Sequence, residues 1–477
     1  MVKGGNFMRK TKIICTIGPA SEKKAMMEKL VLAGMNVMRL NFSHGSHEEH
    51  LEKIKTLEQV NEKLGTDVAI LLDTRGPEIR TGDFENGVAN FVDGQKVVIC
   101  QEDVIGTSDK FTTTYKTLYR DVEVGNSILV NDGQIELMVK DVEGTDIICK
   151  CLNNGEVKNK RGINVPGIKL SFDYLSEKDI ADIEFGCTQP INFIAASFVR
   201  RAQDVIDVKK LLVENQRSDI QVIAKIENDE GVRNVDEILD VADGIMIARG
   251  DLGVEVPAED VPLIQKETIV KCNNKGKIVI TATQMLESMQ TNPRPTRAEV
   301  SDVANAIYDG TDAIMLSGES ASGDYPEEAV ETMDRIATKT EGSINYGSLY
   351  RRAVRTAYGD TSEAICMSVA EIASKFGVEA IIAFTQTGFT ARRMSRYRPE
   401  ASIIAATQSE EIVRSLALTW GVQGVKTNGI NTRIGKMEYA NLLAREKGVP
   451  EGSLIIVTGG DSNAGGNTSY MEIVKVK

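Results

Sequence analysis

Eight short apolar runs, rich in β-branched residues and mostly ending in Gly, Ser, Thr, Asp or Glu, alternate with amphipathic segments between Lys12 and Ser320. They are KIICTIG from Lys12, NVMRLNFS from Asn36, VAILLDT from Val68, INFIAASF from Ile191, QVIAKIE from Gln221, GIMIARGD from Gly244, KIVITATQ from Lys277 and DAIMLSGES from Asp312. Between most of them apolar residues recur at helical spacing, as in Ser21–Gly34 and Asn234–Gly244. Eight strand-helix units predict a (β/α)8 barrel, and in such barrels the chemistry sits at the carboxyl ends of the strands. Arg39, Asn41, Ser43, Asp73, Thr74, Lys225, Glu227, Asp251 and Thr283 fall there.

The rhythm breaks once, between the third and fourth runs. From about Asp83 to Gly167 the chain has short alternating runs such as KVVIC, SILV, IELMVK and DIICKC, separated by turn signals at Asp132–Gly133 and Asn154–Gly155. This predicts a small all-β domain, a little β-barrel inserted into a barrel loop on the catalytic face, where it can act as a lid. After Gly342 new strands at AIIAFT, SIIAATQ, SLIIVTGG and EIVKVK predict a doubly wound α/β domain. The expected domains are a barrel from 1–82 and 168–342, a lid from 83–167 and a C-terminal domain from 343–477.

The net charge of −13 over 477 residues leaves no broad basic surface for a nucleic acid. No apolar stretch is long enough to span a membrane and no signal-peptide core opens the chain, so a cytoplasmic enzyme is expected. On that reading the sequons at Asn41 and Asn467 are without meaning. The seven cysteines are scattered and read as reduced core residues; Cys149 and Cys151 share one strand face, but no CxxC pair completes a zinc site.

Strand alternation points Lys225 and Glu227 to the same face. They are either a structural ion pair closing the barrel or part of a site completed by Asp251 on the next strand. Mg²⁺ is commonly held by one or two carboxylates plus substrate oxygens, and a lysine beside it suits a phosphoryl group or an enolate. Asn41, Ser43, Asp73 and Thr74 bring one carboxylate and neutral oxygens, enough for a monovalent cation or for plain strand-end hydrogen bonding. All three histidines, His44, His47 and His50, cluster; their spacing allows two to share a helical face as metal ligands, or to be solvated or nucleotide-edge residues. No GxxxxGK[ST] and no strand-linked GxGxxG is present, so a nucleotide is held in another way. In the C-terminal domain, TQTGFTARRMSRYRP from Thr385 reads either as a phosphate site at a helix N-terminus or as an ordinary turn before a basic helix.

Several of these segments, KTKIICTIGPAS (Lys10–Ser21), MNVMRLNFSHG (Met35–Gly45), LLDTRGPEIRTG (Leu71–Gly82), VIAKIENDEG (Val222–Gly231), MIARGDLGVE (Met246–Glu255), TATQMLESM (Thr281–Met289) and PTRAEVSDVANAIYDGTDAIMLSGE (Pro295–Glu319), closely resemble those of pyruvate kinases. The resemblance runs through all three domains in order. It implies transfer of the phosphoryl group of phosphoenolpyruvate to ADP, giving pyruvate and ATP at the end of glycolysis. It puts Arg39 on the substrate phosphate, Lys225 on the transition state, and Thr283 with the backbone near Gly250 on the substrate carboxylate. Glu227 and Asp251 would ligate Mg²⁺ or Mn²⁺, and Asn41, Ser43, Asp73 and Thr74 would ligate K⁺. Nucleotide contacts fall on Asn41, Phe42, Ser43, His44, Arg80 and Arg161.

Glu78 is the residue type that accompanies potassium dependence in that family. The resemblance also implies a homotetramer and a phosphorylated allosteric effector at Thr385, Thr387, Gly388 and Thr390. The glycine-rich segment Gly459–Thr468 lacks the arginine common in members that respond to fructose 1,6-bisphosphate. The pattern stops after this domain, without the further C-terminal domain some bacterial members carry. Related barrels that cleave aldols or move phosphates with a carboxylate-bound Mg²⁺ lack the inserted β-domain. An inactive phosphate-binding regulator would have lost Lys225, Glu227, Asp251 or Arg39, and all four are present.

Overall fold

The computed structural model describes residues 9–357, 359–430, 432–460 and 467–477. Residues 1–8 and most of the glycine-rich segment Gly459–Thr468 lie outside that range. The eight apolar runs form eight parallel strands: β1 (Lys12–Thr16), β2 (Val37–Asn41), β3 (Ala69–Asp73), β4 (Phe193–Ala196), β5 (Gln221–Ile226), β6 (Gly244–Ala248), β7 (Ile278–Ala282) and β8 (Ala313–Leu316). Each pairs with its sequence neighbours, and β8 returns to β1 to close the barrel.

Alternation along each strand sorts the side chains. Ile14, Val37, Leu71, Phe193, Ile223, Met246, Ile280 and Met315 fill the barrel interior, while Ile13, Met38, Ile70, Ile194, Val222 and Ile245 face the surrounding helices. Two residues further along the inward rows the apolar filling gives way to polar groups: Ile14 leads to Thr16, Val37 to Arg39, Leu71 to Asp73, Ala195 to Ser197 and Ile223 to Lys225. The same period that packs the core therefore builds a polar layer at the carboxyl ends of the strands.

Between β3 and β4, seven short strands from Ile79–Arg80 to Gly162–Asn164 make one sheet, and Val88–Phe91 pairs with Gly155–Lys158 in a second. The edges of the larger sheet meet where Thr81 bridges Thr113, which rolls it into a small barrel around Phe84, Phe91, Phe111, Ile128 and Leu137. The last part of the chain forms a five-stranded sheet. Its first strand, Ala380–Phe384, lies between Ser402–Thr407 and Leu454–Gly459, Val422–Lys426 is one edge, and the antiparallel Tyr470–Lys475 is the other. That reversal of strand order is the doubly wound arrangement. Leu418, from this domain, is buried with the residues lining the barrel interior.

The cysteines are free, and all but the half-buried Cys187 are buried. No helix among the described residues is long and apolar enough to cross a membrane.

Candidate active site

The polar layer centres on Lys225. Its Nζ lies 2.7 Å from Ser197 Oγ, 3.0 Å from Asp73 Oδ1 and 3.0 Å from Glu227 Oε1. Arg39 donates from Nε to the other oxygen of Asp73 at 2.6 Å and from Nη1 to Thr16 Oγ1 at 2.9 Å. Burial opposes charge on Asp73, but Arg39 and Lys225 outweigh it and hold that carboxyl below its ordinary range. Burial likewise opposes the Lys225 ammonium, and Asp73 with Glu227 more than restores it, so the lysine stays charged.

Glu227 behaves differently. Burial, reinforced by Asp251 and Asp73 against Lys225, pushes its carboxyl up to about 7. Three carboxylates thus share the mouth with two cations, and the surplus negative charge falls on Glu227 and Asp251. That donor set, hard oxygens with too few cations, fits a divalent ion completed by substrate oxygens. Among the described residues no group of three or more His, Cys, Asp or Glu forms a full protein cage. Asp251 is not at a strand end as expected. β6 stops at Ala248, and Arg249–Glu255 turns at once into a short helix with Asp251 in its first turn.

Asn41 and Asp73 are register partners on β2 and β3. Thr74 is buried, with its hydroxyl accepting from Ser197 N at 3.1 Å. Asn41 Oδ1 accepts from Ser43 N at 3.2 Å. Phe42 turns its ring inward, stacked on His50 at a centroid distance of 3.9 Å, so only its backbone faces the mouth. His44 is exposed. The other histidines are held by packing: His47 Nε2 meets Asp182 at 2.7 Å and its ring stacks on Phe185, while His50 Nε2 donates to His44 O at 2.9 Å. Metal ligation by this trio, left open by the spacing, finds no geometry here.

Arg80 and Arg161 lie at the root of the inserted domain, where Arg80 pairs in register with Gly162. Arg80 binds both oxygens of Glu78, at 2.8 and 3.0 Å, and Arg161 is exposed. Gly250 N donates to Thr283 Oγ1 at 2.7 Å. The cleft between lid and barrel, about 100 Å³, is lined by Glu78, Asn164, Phe198, Asp251 and Glu255 among others. In the C-terminal domain Gly388 takes a left-handed φ of 79° at the helix start, Thr390 is buried with its hydroxyl 2.8 Å from that of Thr468, and Thr387 lines a cavity of about 1130 Å³ against the barrel's opposite end.

Sequence reasoning missed four contributors. Ser197 bridges Lys225 and the Asp73–Thr74 strand end; it too closes one of the apolar runs, and that was the available signal. Phe198 takes φ 54°, rare for a bulky residue, and aims its N–H at Glu227 Oε2 at 2.6 Å. Lys178 donates to Phe42 O at 3.0 Å, beside the exposed His44. Asn164, from the lid, donates to Glu255 Oε1 at 2.7 Å. Phe198 depends on loop geometry, and Lys178 and Asn164 on how a helix and a lid strand meet segments distant in sequence, none of which periodicity reports.

Known proteins give the same picture. The profile "Pyruvate kinase, barrel domain" matches residues 8–330, and "Pyruvate kinase, alpha/beta domain" matches 363–474. Pyruvate kinases of Staphylococcus aureus strains MRSA252 and USA300 are 52% identical over 470 residues, covering 98% of this chain and 80% of theirs. A crystal structure of a pyruvate kinase from Cryptosporidium parvum superposes with a TM-score of 0.94 at 39% identity, covering 98% of this chain and 96% of its own. The molecule is therefore a phosphotransferase built on a (β/α)8 barrel. It belongs to the pyruvate kinase family.

Proposed function

We propose that the barrel mouth transfers the phosphoryl group of phosphoenolpyruvate to ADP, with Lys225, Arg39 and Thr283 as the residues that touch the reacting molecule. The supporting observation is the cluster of Arg39, Asp73, Lys225 and Glu227, in which a buried ammonium and a half-buried guanidinium are fixed by carboxylates before any substrate arrives. A terminal phosphate oxygen of ADP attacks phosphorus in line, the bond to the enol oxygen breaks, and the electron pair leaves as the enolate of pyruvate. Arg39 and Lys225 offer fixed positive charge to the transferring group and to that enolate. The backbone N–H groups of Gly250 and Asp251, with the Thr283 hydroxyl, hold the carboxylate end, and a proton reaching the methylene carbon from the Thr283 side completes pyruvate.

Glu227 and Asp251 would hold Mg²⁺ or Mn²⁺, and Asn41, Ser43, Asp73 and Thr74 would hold K⁺, with Glu78 setting the need for it. When bound, these ions supply charge neutralisation for the phosphate oxygens. Asn41, the backbone of Phe42, Ser43, His44, Arg80 and Arg161 form the nucleotide edge, to which Lys178 adds a cation. Closure of the lid excludes water and so protects the phosphoryl group from hydrolysis.

Thr385, Thr387, Gly388 and Thr390 would receive a phosphorylated effector. Assembly into a homotetramer is what the resemblance implies, and sedimentation measures it directly. The deciding assay is pyruvate formation from phosphoenolpyruvate and ADP with Mg²⁺, with and without K⁺. Turnover that requires K⁺ is expected, and no turnover under either condition overturns the reading.

A further inference from the structure

Thr283 and Gln284, directly after β7, have φ of 67° and 53°. For a β-branched residue this left-handed conformation is a genuine outlier, and strain of that kind persists only where its surroundings enforce it. Arg249 grips this segment. Its side chain is 11% exposed, and its Nη2 donates to Thr283 O at 2.7 Å, with Nε on Ala282 O at 3.3 Å. The far side of the guanidinium is anchored by Asp302 Oδ1 at 2.7 Å and Gln265 Oε1 at 3.3 Å. One planar fork thus grips two successive carbonyls and a carboxylate, which a lysine cannot do.

We propose that Arg249 is a positioning residue that holds the strained Thr283 backbone and so sets its hydroxyl at the substrate. The Thr283 hydroxyl bonds to Ala282 O at 2.7 Å while accepting from Gly250 N. Because Ala282 O is also served by Arg249, the hydroxyl is free to leave it when a substrate carboxylate arrives. The guanidinium itself touches no reacting atom. The inference rests on the reading of Thr283 and Gly250 as the carboxylate end of the site.

The test is a double-mutant cycle on the full chain, with Arg249→Met, Thr283→Ala and the pair, reading kcat, KM for phosphoenolpyruvate and for ADP, and Tm. Each single change is expected to lower kcat by about tenfold or more with KM for ADP unchanged, and the double to fall within about twofold of Thr283→Ala. Arg249→Lys does not restore turnover. Losses that multiply in the double variant, with Thr283→Ala itself impaired, overturn the clamp and leave the Thr283 reading standing. Wild-type turnover in Thr283→Ala removes that reading, and the clamp with it. If Arg249→Met does not fold, Asp302→Asn, which loosens the anchor, is expected to lower kcat a few-fold at unchanged KM for ADP; full turnover there also overturns the proposal.

Discussion

Lys225 and Asp73 meet at 3.0 Å although 152 residues separate them, so the fold spends a buried carboxylate on fixing the ammonium in place. A charge held this way needs no reorganisation when the phosphoryl group arrives. Removing a preorganised donor of this kind costs about a hundredfold or more in kcat. Lys225→Met is expected to lose at least that factor with unchanged far-UV circular dichroism, because Glu227, already pushed up to about 7, takes up a proton in its place. Turnover near wild type would remove the lysine from the mechanism.

Glu78 is bound on both oxygens by Arg80 and approached by Arg75 at 3.3 Å. Replacing it with lysine reverses the charge beside the cleft and supplies a tethered cation. Glu78→Lys is therefore expected to shift the potassium titration of activity so that substantial turnover remains without K⁺. A curve superimposable on wild type counts against Glu78 as the determinant.

The barrel was legible because its signal is redundant. Eight apolar runs with one period make both the interior filling and the polar rim, so Arg39, Asp73 and Lys225 could be assigned to the mouth by counting residues along a strand. What period two cannot report is the path of the chain once a strand has ended. Asp251 lies in a helical turn rather than on a strand, Phe198 and Thr283 adopt left-handed backbone, and Phe42 faces inward. Phe42 is decided by packing on His50 and Phe185, and Thr283 by its contacts with Arg249 and Gly250, none of which the period of a strand reports.

Asn164 and Glu255 join the inserted domain to the short helix that also carries Asp251. Burial pushes the Glu255 carboxyl up despite that bond. A hydrogen bond to a charged partner contributes roughly 1.5–3 kcal/mol, enough to move a lid equilibrium by about tenfold or more. Asn164→Ala is expected to open the lid in the absence of substrate, seen as a larger radius of gyration by small-angle X-ray scattering. An unchanged scattering curve would mean that other contacts hold the domain.

His50 supplies a pH-dependent contribution to stability. Burial holds its ring down to about 4 against an ordinary 6.5, with the bond to His44 O working the other way, and Nδ1 has no partner, so protonation would bury an unmatched N–H. The folded pKa lies below the unfolded one, so between pH 6.5 and 4 the unfolded chain carries the extra proton. Stability from this group is fully present above 6.5 and is lost as pH falls towards 4, by up to about 1.4 kcal/mol per pH unit. His50→Gln keeps a donor for the His44 carbonyl but cannot titrate. Urea unfolding of both proteins at about pH 7.5, 6, 5 and 4.5 is expected to show the wild type losing stability relative to the variant as pH falls. Parallel pH profiles would show that His50 is charged in the fold at the same pH as in the unfolded chain.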